Sequence, residues 1–405
     1  MQQSGKKILL VGHDARSGGA QLLALGLVRA WTAEAGCAIH TMLLGGGPLL
    51  DEFKRVSHAL HVAPPADPRT PASAARLLRQ LRAEGVEAAV CNTIVAAQAL
   101  PWLRDAGIAT LCLIHELPAT IKALGLATAP AMVAEIADGI VFPAEMVRAA
   151  FGPPAGLEPG KVTILPQGSY HALPPAFDRA AARRLVRERL LLPPDTTLIL
   201  SVATAETRKG FDLLPRLAQE LGPDSAAVCV WIGVDGARPD PWVEHDIAML
   251  GMGGRIRLLP PIGNWDVLAQ HYAAADVLFL PSREDPFPTV VLEAMSFGLP
   301  VVCFEAASGV QQLVTEGGGI AVPYLDVAAA ARAIRSLVTD QAAWQLASAA
   351  ATRRMARHPT FSAYARNVLD LAAETAQRTR ERALAPTAQE QPAGPTWKSA
   401  TIRLR

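Results

Sequence analysis

The feature that most constrains this chain is a rhythm that runs twice. Short apolar runs alternate with amphipathic helical stretches, and one glycine- and proline-rich break interrupts the alternation. A parallel strand buries both faces and needs a crossover of helical length, so this pattern predicts parallel sheets with helices on both sides. The first series places strands at 7–12, 38–44, 88–91, 110–115, 139–142 and 162–165. The break is PQGSYHALPP at 166–175. The second series places strands at 197–201, 226–232, 255–258, 276–280 and 300–304. Helices then run to about residue 380, and 381–405 mixes Ala, Pro, Gln and charges without periodicity, as a disordered tail does. The expected fold class is α/β, with two doubly wound, Rossmann-like parallel-sheet domains at 1–170 and 171–358.

Length and composition agree with that division. A chain of 405 residues exceeds what one hydrophobic core sustains. A net charge of +1 and 5% aromatic residues supply neither the basic stripe nor the stacking rings of a nucleic-acid binder. Cys37, Cys91, Cys112, Cys229 and Cys303 lie far apart with no Cys-x-x-Cys pair, so they read as buried free thiols in a reducing compartment. The polar start, 1–7, lacks the apolar core of a signal peptide, and 88–103 is too short and polar to span a bilayer. The expected location is the cytoplasm. No Asp-x-Asp pair occurs, so no metal site is expected.

Four segments carry candidate chemistry. In LPSREDPFPTVVLEAMSFGLPVV (280–302), a strand ends at Leu280, a polar loop follows, and a helix begins near Pro288 or Thr289. Its first amides, around Thr289 and Val290, have no intrahelical partner and suit a diphosphate. Asp285 and Glu293 stand eight positions apart, where they could hold hydroxyls on either side of that diphosphate, or serve only as a helix cap and a solvated acid. Glu293 lies among Val291, Leu292, Ala294 and Met295, so its carboxylate needs a partner. In SVATAETRKG (201–210), Arg208 and Lys209 follow a strand's carboxyl end, where cations suit a departing diphosphate, although surface Arg-Lys pairs are common. In RSGGA (16–20), Gly18 and Gly19 can adopt positive φ and let amides approach an anion. The spacing is not the dinucleotide fingerprint, and any tight strand–helix connection could use it. His115, with Glu116, closes the strand at 110–115 and faces where such folds bind ligands. Gly45–Gly47 and Gly317–Gly319 read as turns, and Trp231, Trp265 and Trp344 as core.

The segment 280–302 resembles the signature of the large retaining glycosyltransferase family 4, in which two acids eight apart precede Ala-Met and then Gly-x-Pro-Val. AAADVLFLPS (273–282), DGIVF (138–142) and ILPQG (164–168) are similar to further parts of that family, and the likeness extends over most of 7–375. Asp285 replaces the usual first Glu and Glu284 precedes it, so either could reach the donor sugar. Lys209 and Gly210 match the family's Lys-Gly, while Thr204 stands where an Arg is usual, with Arg208 as a substitute. The resemblance implies the GT-B fold, two domains facing a cleft, and a helix at 359–380 that returns to the first domain. It implies retaining transfer of a hexose-type sugar from a nucleotide sugar to a carbohydrate or lipid-linked acceptor, without metal or cofactor. The setting it suggests is bacterial cell-surface polysaccharide assembly, with peripheral contact at the inner membrane face. It assigns His115, Lys209 and Asp285 to catalysis, and Gly18, Gly19, Arg208, Lys209, Glu284, Asp285, Thr289, Val290 and Glu293 to the donor. A nucleotide-sugar 2-epimerase and a non-catalytic nucleotide-sugar-binding scaffold are the alternatives.

Overall fold

The computed structural model describes residues 6–384 except 65, 66, 68, 69, 155, 156, 172–177, 224 and 236–239. The chain divides into two compact units. Unit 1 runs to Pro166 and resumes at Phe361; unit 2 is Gln167–Thr360.

Unit 1 holds a parallel sheet of β1 (Lys7–Gly12), β2 (Ala38–Leu43), β3 (Ala59–Val62), β4 (Ala88–Asn92), β5 (Ala109–Leu113), β6 (Gly139–Phe142) and β7 (Val162–Ile164). Their spatial order is β3-β2-β1-β4-β5-β6-β7. The central strands are apolar on both faces because helices cover both, and Leu9, Leu10, Val90 and Leu113 are fully buried. Chain direction across the sheet reverses between β1 and β4. That switch point leaves a crevice outside the strands' carboxyl ends. The helix Phe361–Leu384 belongs to this unit, and the Trp31 indole donates to the Ala365 carbonyl at 2.7 Å. Residues 381–384, read above as the start of a tail, continue this helix, whereas 385–405 lie outside the described residues.

Unit 2 holds a second parallel sheet of β8 (Thr197–Val202), β9 (Ala227–Ile232), β10 (Ile256–Leu259), β11 (Val277–Leu280), β12 (Val301–Phe304) and β13 (Gly319–Val322), in the order β10-β9-β8-β11-β12-β13. Its switch point lies between β8 and β11. At the amino ends of these two strands, Asp276 accepts the Leu198 amide at 2.8 Å and pairs with Arg183 and the buried Arg187. At their carboxyl ends the Ser201 hydroxyl donates to the Phe279 carbonyl at 2.8 Å. The pair is tied at both ends.

Two strands were not foreseen. β3 is a four-residue edge strand flanked by histidines and partly exposed, so its apolar signal is weak. β13 begins at Gly319, which had been read as part of a turn; a Cβ there would stand 1.9 Å from the Val301 carbonyl oxygen, so glycine is what lets β13 approach β12. Gly45–Gly47 is more than a turn as well. A Cβ on Gly47 would meet the Ala15 carbonyl group at 2.3 Å, and hydrogen bonds from Ala15 to Gly46 and from Leu49 to Ala15 bind this loop to the one after β1. Among the described residues no helix is long and apolar enough to cross a membrane.

Candidate functional site

The polar residues of unit 2 converge at the β8/β11 switch point. After β8 the chain makes a single 3-10 turn, Thr207–Lys209, and closes it with Gly210 at φ +78°. A side chain at 210 would strain that left-handed backbone, and its Cβ would lie 2.1 Å from the Pro281 carbonyl oxygen. Glycine therefore brings the loop against the strand end and sets the direction of Lys209. The Lys209 ammonium donates to Asp285 Oδ2 at 2.5 Å, and the Ser282 hydroxyl donates to the same oxygen at 3.3 Å. The Asp285 backbone is fixed by bonds from its amide to the Ala307 carbonyl and from the Gly309 amide to its own carbonyl. Lys209, Ser282, Ser201 and Val290 line one small cavity.

The helix Thr289–Ser296 starts beside it. Pro288 occupies its cap position and no side chain caps it, so the Thr289 and Val290 end presents uncapped amides. Of the two acids left open by the sequence, Asp285 is the one engaged here: it is 4% exposed and holds Lys209. Glu284 contributes its carbonyl, which accepts from the Arg208 guanidinium at 3.1 Å. Arg208 also stands 3.6 Å from Glu206, so it ties the loop together. Thr204 is exposed.

Glu293 points elsewhere. The buried Tyr272 hydroxyl donates to its Oε2 at 2.7 Å, and His171, stacked on Trp265 with ring centroids 3.9 Å apart, stands 4.0 Å from its Oε1. Burial pushes the Glu293 carboxyl up to about 7, with the Tyr272 bond opposing that shift. The partner that its apolar flanks required is thus Tyr272, which the sequence did not point to.

Gly18, Gly19 and His115 belong to unit 1, at the carboxyl ends of its strands. Neither glycine has positive φ, contrary to the sequence reading: Gly18 is extended at φ −153° and Gly19 opens the helix Gly19–Ala33. A Cβ at Gly18 would stand 2.5 Å from Gln21 Oε1, so a side chain there would displace the Gln21 amide. The strand expected at 110–115 ends at Leu113, and His115 follows it with its amide donating to the Glu116 carboxylate at 3.1 Å. Burial lowers the His115 imidazole to about 4, so it is neutral at ordinary pH.

Unit 1 adds residues the sequence had not singled out. Gln21 Nε2 donates to His13 Nε2 at 2.8 Å and to Asp14 at 2.6 Å. An amide nitrogen cannot accept, so the neutral His13 carries its proton on Nδ1, which faces the Thr93 hydroxyl at 3.3 Å. Thr93 is buried and holds φ +84°, a strained value for a β-branched residue. No local sequence signal marks that strain.

Residues 182–357 match the family model described as glycosyl transferases group 1. The matched residues all lie within unit 2. The D-inositol 3-phosphate glycosyltransferase of Kineococcus radiotolerans is 32% identical over 267 residues, covering 60% of this chain and 60% of that one. That of Geodermatophilus obscurus is 33% identical over 207 residues, covering 49% of this chain and 44% of that one. The chain thus spans about half the length of these curated relatives. Among solved structures, Anabaena HepE in complex with UDP superposes with a TM-score of 0.76 at 17% identity, over 91% of this chain and 100% of that one. The fold of the chain is GT-B.

Proposed function

We propose that the protein is a retaining glycosyltransferase that moves a hexose from a nucleoside diphosphate sugar to a hydroxyl of a carbohydrate or lipid-linked acceptor. The observation that carries this reading is the Lys209–Asp285 pair set beside an uncapped helix end at the switch point of a group 1 domain. A departing diphosphate gains negative charge as the bond from the sugar's anomeric carbon to the phosphate oxygen breaks. Lys209 and the amides at Thr289 and Val290 are placed to stabilise that charge, where one lost donor costs roughly two to three powers of ten in turnover. Asp285 orients the ammonium and accepts a sugar hydroxyl. Glu293 holds ribose hydroxyls through the oxygen that Tyr272 leaves open. The new bond joins the anomeric carbon to the acceptor oxygen, and the acceptor's proton passes to the departing phosphate oxygen. No metal ion or cofactor takes part.

The relatives named D-inositol 3-phosphate glycosyltransferase and the neighbour solved with UDP favour a nucleotide-sugar donor. Assembly of bacterial surface polysaccharide at the inner membrane face is the setting this reading carries, with the carbon skeleton of donor and acceptor set by loops. Calorimetric titration with UDP, GDP and ADP, each alone and as the hexose conjugate, tests it. One nucleotide series binds the wild type and binds Glu293→Gln more weakly. Binding of none of them by the folded protein overturns the proposal.

A further inference from the structure

Three of the nine histidines meet at one edge of unit 1, away from every residue given a role above. His40 lies in β2, His61 in the edge strand β3, and His58 just before it. Leu9 is the register partner of His40, so the His40 ring projects from the same face as Leu9, beneath the end of the helix Thr70–Ala83. The His40 and His58 ring centroids are 5.1 Å apart, edge to face, and those of His40 and His61 are 6.2 Å apart and stacked. His40 is 4% exposed. Neither of its ring nitrogens has a hydrogen-bond partner among the described residues, nor does Nε2 of His61. A buried imidazole with both nitrogens unmatched is costly and needs a reason. No three His, Cys, Asp or Glu side chains among the described residues are arranged to hold a metal ion.

We propose that the His40–His58–His61 cluster is an acid-sensitive latch, which holds β3 on the sheet while its rings are neutral and releases that edge when they take up protons. The rings are too close together for two to be charged cheaply, and one acid offsets them. The groups that face His40 are His58 and His61 from the β3 side, Lys7 from β1, and Glu84 beyond the helix Thr70–Ala83. Lys7 donates to the Glu84 carbonyl at 2.8 Å, so a cation already occupies that corner. Burial lowers His40 from its ordinary value of 6.5, and the charges of His58, His61 and Lys7 lower it further against Glu84. His61 is lowered by burial in the same way.

The sign follows from linkage. Both groups bind protons less readily in the folded edge than in an opened one, so the stability is fully present above pH 6.5 and falls as pH drops below it. A group that ionises at 6.5 when open and binds its proton more weakly when closed favours opening as pH falls, by up to about tenfold at one unit lower pH. β3 is an edge strand of four residues that pairs with β2 alone, so it opens more easily than the central strands. The consequence reaches the switch point. β2 runs into Gly45–Gly47, the loop that packs on Ala15, and release of this edge frees the segment carrying Asp14 and His13, the ring that faces Thr93.

Hydrogen exchange of the full chain at pH 7.5 and 5.5, corrected for intrinsic rates, tests the latch. Amides of 38–63 should lose protection at least about tenfold more than those of β8, which contains no histidine, and those of 13–16 should follow. His40→Leu removes one of the two titrating rings and should cut the loss at least about threefold. His61→Gln, on a partly exposed edge position, serves if His40→Leu does not fold, and should cut it about as far. An equal loss in β8 and 38–63, or a loss of wild-type size in the folded variant, overturns the proposal.

Discussion

Glu293 is a carboxylate that the fold holds at a cost. Its ordinary value of 4.5 is raised to about 7 by burial, so between these values the folded protein keeps a proton that the unfolded chain has released. Stability on this account falls as pH rises from 4.5 to 7 and is flat above. Glu293→Gln keeps an oxygen for the Tyr272 hydroxyl and removes the charge. It should unfold at higher denaturant than wild type at pH 8, by on the order of 2–3 kcal/mol, and the gain should vanish at pH 4.5. Nucleotide affinity should move the other way, weakening by roughly 1.5–3 kcal/mol. Gain in stability with loss of binding is the signature of a residue kept for its ligand. The sequence showed that this acid needed a partner, since apolar residues flank it on both sides. It could not name Tyr272, because a contact across 21 positions depends on how two helices pack.

At the scale of elements, Gly210 and the loops are where the sequence was least explicit. The central strands were legible because both of their faces are buried and their apolar runs are unbroken, as at 7–12 and 227–232. β3 and β13 were not, since one is half exposed and the other begins with the glycine that its neighbour's carbonyl requires. The helix start at Thr289 was legible from the proline before it, and the uncapped end follows from the absence of Ser, Asp or Asn at the cap. Gly18 and Gly19 read as sites of backbone freedom, whereas neither holds positive φ in the structure. Gly210→Ala adds a methyl 2.1 Å from the Pro281 carbonyl oxygen and 2.8 Å from Pro281 Cβ. It should cost at least about 1–2 kcal/mol by chemical denaturation through the left-handed backbone alone, and more through the Pro281 contact. Turnover should fall with it, because Lys209 moves; a variant with wild-type stability and rate would separate Gly210 from the site.

The whole molecule repeats one design twice, a parallel sheet whose direction reverses once, and this was the most legible level of all. A linker at 166–175 marked where the second series starts, close to the division at Pro166 and Gln167. Lys209 and Asp285 were legible one by one, but not which groups meet at each switch point, because strands far apart in sequence supply them: His13 after β1 meets Thr93 after β4, and Lys209 after β8 meets Asp285 after β11. Charge on the departing group is assigned to Lys209 and helix amides, so transfer should persist at full rate in excess chelator; activity abolished by chelation and restored by manganese would contradict this. The most direct measurement of the central claim is nucleoside diphosphate release from the donor series that binds, by wild type, Lys209→Ala and Lys209→Gln. Lys209→Gln keeps a donor for the buried Asp285 and controls for folding. The account predicts that both folded variants release the diphosphate roughly two to three powers of ten more slowly, with the Michaelis constant little changed. A folded Lys209→Ala that turns over at the wild-type rate would contradict it.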